Sequence, residues 1–148
     1  TPNLAGLTRT CEVFAASKLV IPNLKVVQTD VFQQICATSS DWVPIEEVRE
    51  AELQAWLKGR RNEGYEIVGL EQTAKSEMLT LASPFRSRTV ILLGKEREGI
   101  PVPLLRLVDR CVEIPQLGVV RSLNVHVSGA ISIWEYTRQM LLAESGAC

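Results

Sequence analysis

Thr89-Val-Ile-Leu-Leu-Gly94-Lys-Glu96-Arg-Glu-Gly99-Ile100 and Cys111-Val-Glu-Ile114-Pro115-Gln-Leu-Gly118-Val-Val-Arg121-Ser122-Leu123-Asn124-Val125 decide how this chain is built. Each begins as a short β-branched apolar run and stops at a turn. The second turn feeds the longest helical pattern in the sequence. Apolar runs of this length, bounded by Gly or Pro, read as buried strands. Backbone groups at the ends of such strands are free to meet a ligand, and a helix N-terminus beside them adds amide donors. A small-molecule pocket is therefore expected at these loops.

The rest of the chain continues the alternation. Leu4, Leu7, Cys11 and Phe14 recur at helical spacing over residues 4–15, with Thr8, Arg9 and Glu12 on the polar face and Asn3 as the N-cap after Pro2. Lys18 to Ile21 reads as a strand stopped by Pro22. Asp30 caps a second helix through Val31, Phe32, Ile35 and Cys36, which Ser39-Ser40-Asp41 ends. Trp42-Val43-Pro44 is extended. Glu46 to Arg61 is helical with Leu53, Trp56 and Leu57 inward, and Gly64 breaks it. Tyr65 to Leu70 is a strand, Glu71 to Glu77 a polar loop and Ser83 to Arg88 a turn. Pro101 to Leu107 is a short helix, Cys111 to Ile114 a strand, and Asn124 to Glu144 the closing helix. Strands alternating with helices predict one α/β domain over residues 1–148, a mostly parallel sheet flanked by helices. The closing helix is apolar on two faces, Val127, Ile131, Trp134 and Leu141 on one and Ala130, Ile133 and Met140 on the other. It is expected to be buried or shared with a second subunit.

Composition narrows the function. A net charge of −1 does not point to nucleic acid, because a domain that grips phosphates alone is usually basic. The four cysteines, Cys11, Cys36, Cys111 and Cys148, form no C-x-x-C pair, and His126 is the only histidine. A zinc site is therefore not expected, and a reducing, intracellular setting is. There is no signal peptide and no apolar run long enough to span a membrane. The chain begins Thr-Pro-Asn without Met, as expected of the C-terminal part of a longer protein.

Taken one at a time, the chemistry-bearing residues have plain structural roles. Gly94-Lys-Glu-Arg-Glu-Gly99 lacks the Gly-Lys-Ser/Thr of a phosphate loop, and no G-x-G-x-x-G occurs. Gly94 and Gly99 suit ordinary turns. Ser122 and Asn124 suit a helix cap, Arg9 a solvated face, and His126 a packed position inside a helix.

Together they point further. In this order, Asn3-x-x-Gly6-x-x-Arg9-Thr10, Leu93-Gly94-x-Glu96-x-x-Gly99-Ile100 and Ile114-Pro115-x-x-Gly118-x-x-x-Ser122-Leu123-Asn124-Val125 resemble the SpoU/TrmH branch of the SPOUT RNA methyltransferases over nearly the whole chain. Glu71-Gln-Thr-Ala-Lys-Ser76 and Arg121-Ser-Leu-Asn-Val-His-Val-Ser-Gly-Ala130 look closer still to the last domain of a large eukaryotic member, a tRNA guanosine 2′-O-methyltransferase.

The resemblance implies a deep trefoil knot at the C-terminal end of the sheet, and a homodimer. It implies S-adenosyl-L-methionine held in the knot largely by main-chain groups, S-adenosyl-L-homocysteine as product, and no metal. Carried over by motif, the cofactor residues are Leu93, Gly94, Glu96, Ile114, Gln116, Leu117, Ser122, Leu123 and Asn124, with Leu70 and Glu71 at the end of an earlier strand. Arg9 matches the family's catalytic arginine and Asn3 its motif-one asparagine. Glu96, Ser122 and Asn124 match the other active-site positions. The implied reaction moves a methyl group from a sulfonium to a ribose 2′-hydroxyl, and the resemblance to the eukaryotic member points to that of a tRNA guanosine. Arginine is a difficult base, with a pKa above about 12. Arg9 either acts as that base or grips a phosphate bidentately and favours ionisation of the nearby hydroxyl.

The sequence departs from the family at Ala5 and Ala15, where many relatives have Gly, at Arg97, where many have a small residue, and at Gln116, where many have Met. The family's first strand precedes the motif-one asparagine and lies outside this sequence. Lys58, Arg60, Arg61, Arg86, Arg88, Arg97 and Arg121 are candidate RNA contacts. The rival reading is a non-catalytic RNA- or protein-binding module that keeps the knot as a scaffold.

Overall fold

The computed structural model describes residues 1–120 and 122–146, so Arg121 and Cys148 lie outside the described residues. The chain forms two compact units, Thr1–Leu53 and the part beginning at Gln54.

In the first unit, helix α1 (Pro2–Val13) leads to strand β1 (Leu19–Ile21), helix α2 (Asp30–Cys36) and strand β2 (Ile45–Glu47). β1 and β2 pair in parallel, Leu19 opposite Ile45. Ala5, Phe32 and Cys36 form a closed apolar cluster against which Leu4, Val26, Val27, Ile35 and Ile45 pack.

Several expectations are corrected here. The α1 cap is Thr1, and Asn3 lies within the first turn. The α2 cap is Thr29, whose hydroxyl accepts the Phe32 N–H at 3.3 Å; Asp30 is the first helical residue, where its charge suits the helix dipole. Thr8 is fully buried rather than on the polar face, because its hydroxyl donates to the Leu4 carbonyl at 2.8 Å and needs no water. Residues 45–47 are a strand where a helix was expected to begin. Pairing with β1 satisfies their backbone, and Ile45 fills the cluster, so a long-range partner overrides local propensity. A short 3-10 turn, Glu50–Glu52, then introduces helix α3 (Leu53–Asn62), where Leu57 is buried.

The second unit holds a four-stranded parallel sheet. Strand β3 (Glu66–Leu70) is followed by β4 (Glu77–Met78), β5 (Thr89–Leu93), the one-turn helix α4 (Val102–Leu105), β6 (Arg110–Glu113) and helix α5 (Val125–Ser145). The strand order is β4-β6-β3-β5. β3 is central and its first four residues are buried. Val68, Leu79, Phe85 and Val112 form the core of this unit, with Tyr136 and Met140 of α5 packed on it. β4 was not anticipated: two residues in a polar stretch carry no periodicity, and only β6 beside them makes them a strand. α4 is shorter than the helix expected from Pro101 to Leu107.

One ion pair ties the sheet to its loops. Arg110 Nε donates to Glu66 Oε1 at 2.9 Å, and its other nitrogens donate to the carbonyls of Ser83 at 2.7 Å and Pro84 at 3.3 Å. Its guanidinium also lies over the Phe85 ring. The turn expected over residues 83–88 is thereby fastened to the beginnings of β3 and β6.

Candidate functional site

Parallel strands end on one edge, and here three of them end together. Leu70 is opposite Leu93 of β5 on one side and Val112 of β6 on the other. Leu70, Glu71, Leu93, Gly94 and Ile114, expected to share a site, therefore emerge from the C-terminal edge of one sheet. That edge is where ligands bind in open parallel sheets.

Past β5 the chain folds back on itself. Lys95 and Gly99 exchange backbone hydrogen bonds, at 2.8 Å from the Gly99 N–H and 3.2 Å from the Lys95 N–H. A Cβ on Gly94 would lie 2.5 Å from the Gly99 carbonyl carbon and 2.6 Å from the Ile100 nitrogen, so glycine is required there by backbone packing. Gly99 has φ +66°, and a Cβ on it would overlap Glu71 Oε2. The two glycines do more than turn the chain: Gly94 lets two backbone segments touch, and Gly99 leaves room for the Glu71 carboxylate.

The second loop runs from β6 to α5. Ile114 packs against the core of this unit, whereas Leu117 is almost wholly exposed and Ser122 and Leu123 are exposed. Gln116 Oε1 is buried and meets no hydrogen-bond donor among the described residues. A buried acceptor without a donor is costly, and a donor placed beside it would remove that cost.

Asn124 joins the two loops. Its Oδ1 accepts the N–H groups of His126 at 2.9 Å and Val127 at 3.3 Å, which caps α5. Its Nδ2 donates to Glu96 Oε1 at 3.3 Å. One side chain thus fills the plain capping role and also reaches Glu96 of the loop after β5.

Asn3 and Arg9 lie on α1 in the first unit. Arg9 is exposed and donates to the Ile35 carbonyl at 3.4 Å. Cys11, expected in the core, is buried there, and burial pushes its thiol up to about 11. Cys11, Cys36 and Cys111 are free thiols. The Cys111 thiol lies higher than usual, chiefly through burial and then through the negative charge of Glu71, with a hydrogen bond to Thr73 opposing both.

The sequence reading missed the work done by residues 71–76. The Glu71 carboxylate accepts the Ile100 N–H at 2.8 Å, and the Ser76 hydroxyl lies 2.8 Å from Glu113 Oε2. The distinctive string Glu71 to Ser76 was the available signal, but it reads locally as a polar loop.

A model of the SpoU rRNA methylase family matches residues 1–134, and the chain belongs to that family. It is 51% identical over 140 residues to mouse tRNA (guanosine(18)-2′-O)-methyltransferase TARBP1, covering 95% of this chain and 9% of the mouse protein. The chain thus spans less than a tenth of that relative's length. The crystal structure of the Aquifex aeolicus TrmH/SpoU tRNA modifying enzyme superposes with a TM-score of 0.81 at 27% identity, over 98% of this chain and 71% of that one. An AdoMet-bound rRNA methyltransferase from Sinorhizobium meliloti superposes with a TM-score of 0.72 at 26% identity, over 93% of this chain and 51% of that one.

Proposed function

We propose that this chain is the catalytic part of a longer intracellular protein that methylates the ribose 2′-oxygen of a tRNA guanosine, using S-adenosyl-L-methionine and no metal. The observation that carries this reading is its 51% identity to a tRNA guanosine 2′-O-methyltransferase, over a stretch that includes the Gly94, Ile114 and Asn124 loops. Within the proposal the two units work as one domain, and the β6-to-α5 segment forms the trefoil knot of the family.

The residues present suit the cofactor. Gln116 offers a buried acceptor to an amino group, and the strand-end loops carrying Leu93, Gly94, Ile114, Leu117 and Leu123 offer main-chain groups beside apolar side chains, as an adenine needs. When bound, S-adenosyl-L-methionine supplies the electrophilic methyl group of a sulfonium. The chain's work is to bind, orient and exclude water. In this reading Glu96, held by Asn124, and the exposed Ser122 are the polar groups at the transfer, and Arg9 and Asn3 act on the RNA. A permanently charged Arg9 suits a phosphate clamp better than a base.

A homodimer is part of the same reading. Val127, Ile131, Trp134 and Leu141 form an exposed apolar stripe on α5, whereas Met140 faces the core. An apolar stripe of this kind marks an interaction surface. Light scattering is expected to give twice the chain mass, and Trp134→Glu to give the monomer.

RNA is held weakly by this part alone. Arg60 and Arg61 pair with Glu63 and Asp109, Arg86 with Glu66, and Arg88 with the Glu63 carbonyl, so a phosphate would share each guanidinium with a partner that already offsets part of its charge or donor capacity. Lys58 and Arg97 are exposed, and Arg121 lies outside the described residues. The decisive experiment is transfer from methyl-labelled S-adenosyl-L-methionine to a tRNA pool, followed by nucleoside mapping. 2′-O-methylguanosine is the expected product. Cofactor binding without transfer would leave the binding-module reading instead.

A further inference from the structure

Ile100 is buried, and a buried N–H without an acceptor is costly. Its acceptor is not a neighbouring backbone group but Glu71 Oε2, at 2.8 Å, from the far end of another strand. The same carboxylate lies against Gly99: a Cβ there would come within 3.1 Å of Glu71 Cδ as well as overlapping the oxygen. Glu71 is also fixed through its own backbone, since its N–H donates to the Val112 carbonyl of β6 at 3.1 Å. One residue thus fastens the β6 end of the sheet, through its main chain, to the loop after β5, through its side chain.

The other end of the segment makes a matching attachment. Ser76 accepts the Thr73 N–H at 3.2 Å, and its hydroxyl lies 2.9 Å from the Thr73 carbonyl and 2.8 Å from Glu113 Oε2. Glu113 directly precedes Ile114, and its carbonyl accepts the Leu79 N–H at 2.7 Å. Residues 71–76 therefore form a strap between the two ligand loops, attached directly to Gly94–Ile100 by Glu71 and, by Ser76, to Glu113, the β6 residue from which Ile114–Leu117 leaves the sheet.

We propose that Glu71 is a positioning residue, and that residues 71–76 are a strap setting the spacing of the two loops before any ligand arrives. The resemblance puts Glu71 among the cofactor residues; its role here runs instead through Gly99 and Ile100, where its carboxylate is already engaged. This rests on the proposed methyltransferase reading for the identity of the ligand, but the hold on the loop is a property of the chain itself. A ligand that meets loops already held avoids ordering them on binding, so the strap acts on affinity more than on turnover.

The test uses the full chain with Glu71→Ala, Glu71→Gln and Ser76→Ala. Amide exchange at Ile100 is read without ligand, and S-adenosyl-L-methionine affinity and turnover are read separately. Glu71→Ala is expected to speed Ile100 exchange at least tenfold and to raise the dissociation constant about tenfold, with turnover at saturating cofactor within about twofold. Glu71→Gln keeps an acceptor oxygen and is expected to recover most of both, which a loss of general stability would not do. Ser76→Ala is expected to weaken cofactor binding while leaving Ile100 protected. In a double-mutant cycle, Gly99→Ala is expected to harm the Glu71→Ala background less than the native one, because the steric partner is gone while the φ strain stays the same in both. Unchanged Ile100 exchange in Glu71→Ala overturns the proposal. So does fast exchange with unchanged affinity in a chain whose native form binds the cofactor. Should the native chain bind none, the methyltransferase reading fails, and the Ile100 exchange and the cycle still decide whether Glu71 holds the loop.

Discussion

The Asn124 side-chain amide donates to Glu96 Oε1 at 3.3 Å while its oxygen caps helix α5. One residue therefore starts the closing helix and links its N-terminus to the loop after β5. The two roles separate by substitution. Asn124→Ser keeps a capping oxygen but loses the donor to Glu96. It is expected to cost stability only a few tenths of a kcal/mol, while Asn124→Ala costs about 1 kcal/mol. Both are expected to reduce methyl transfer at least tenfold. Denaturant unfolding beside single-turnover transfer checks this, and full activity in the serine variant would remove the Glu96 link from the site.

Gly94 admits no side chain, because a Cβ would sit 2.5–2.6 Å from the backbone of Gly99 and Ile100. Backbone cannot swing aside as a side-chain tip can. Gly94→Ala is expected to destabilise by about 1–3 kcal/mol and to abolish cofactor binding measured by calorimetry. Retention of native affinity would show that the loop is more compliant than its geometry implies.

Arg9 is exposed and makes one long hydrogen bond, to Ile35. Arg9→Ala is expected to change stability by no more than about 0.5–1 kcal/mol and cofactor affinity by less than twofold. Methyl transfer is expected to fall about a hundredfold or more, the scale of a lost catalytic group. Arg9→Lys separates the two chemical roles, since a lysine keeps the charge but not the bidentate fork. Undiminished transfer in Arg9→Ala would end the catalytic assignment.

Cys11 links stability to alkaline pH. Its pKa is raised from 9.0 to about 11 on folding, so the folded chain keeps the proton longer than the unfolded chain. Its contribution is complete below pH 9 and is lost as pH rises from 9 to 11, a fall of roughly 2–3 kcal/mol. Cys11→Ala is expected to be less stable at pH 7 and to show a shallower decline over that window. Chemical denaturation at pH 8, 9 and 10 distinguishes this from a uniform loss.

Two alanines sit at positive φ, Ala15 at 55° and Ala37 at 54°. Ala15 follows α1, where its N–H and that of Ala16 return to the carbonyls of Glu12 and Cys11, at 3.0 and 2.8 Å. This six-residue closure favours glycine at the left-handed position. Ala15→Gly is expected to stabilise by about 0.5–1 kcal/mol, relief of strain exceeding the added freedom of the unfolded chain. Ala37, with ψ −123°, lies in territory still less suited to a side chain, so Ala37→Gly is expected to gain at least as much. Thermal unfolding of the two variants measures it, and a lower midpoint for either would contradict the strain.

Much of the frame was legible locally. Thr89–Leu93 is a strand over the residues its apolar run marks, the closing helix begins after Asn124, and the parallel arrangement follows from the alternation of elements. The loops were legible because their turns carry glycine and proline, which act on the backbone without help from elsewhere. Other features depended on partners far along the chain. Ile45–Glu47 is a strand only because β1 lies beside it, and Glu77–Met78 only because β6 does. Glu71 is the clearest case. In sequence it is the first residue of a polar loop, and Gly99 lies 28 positions further along. Periodicity and turn chemistry act within a few residues, so the sequence by itself determined the strands β1, β3, β5 and β6, the closing helix and the turns that follow β5 and β6. Which carboxylate fills the space beside a glycine, and which buried N–H it satisfies, was decided only by the tertiary structure, because desolvation makes that N–H need an acceptor and packing alone determines which one arrives.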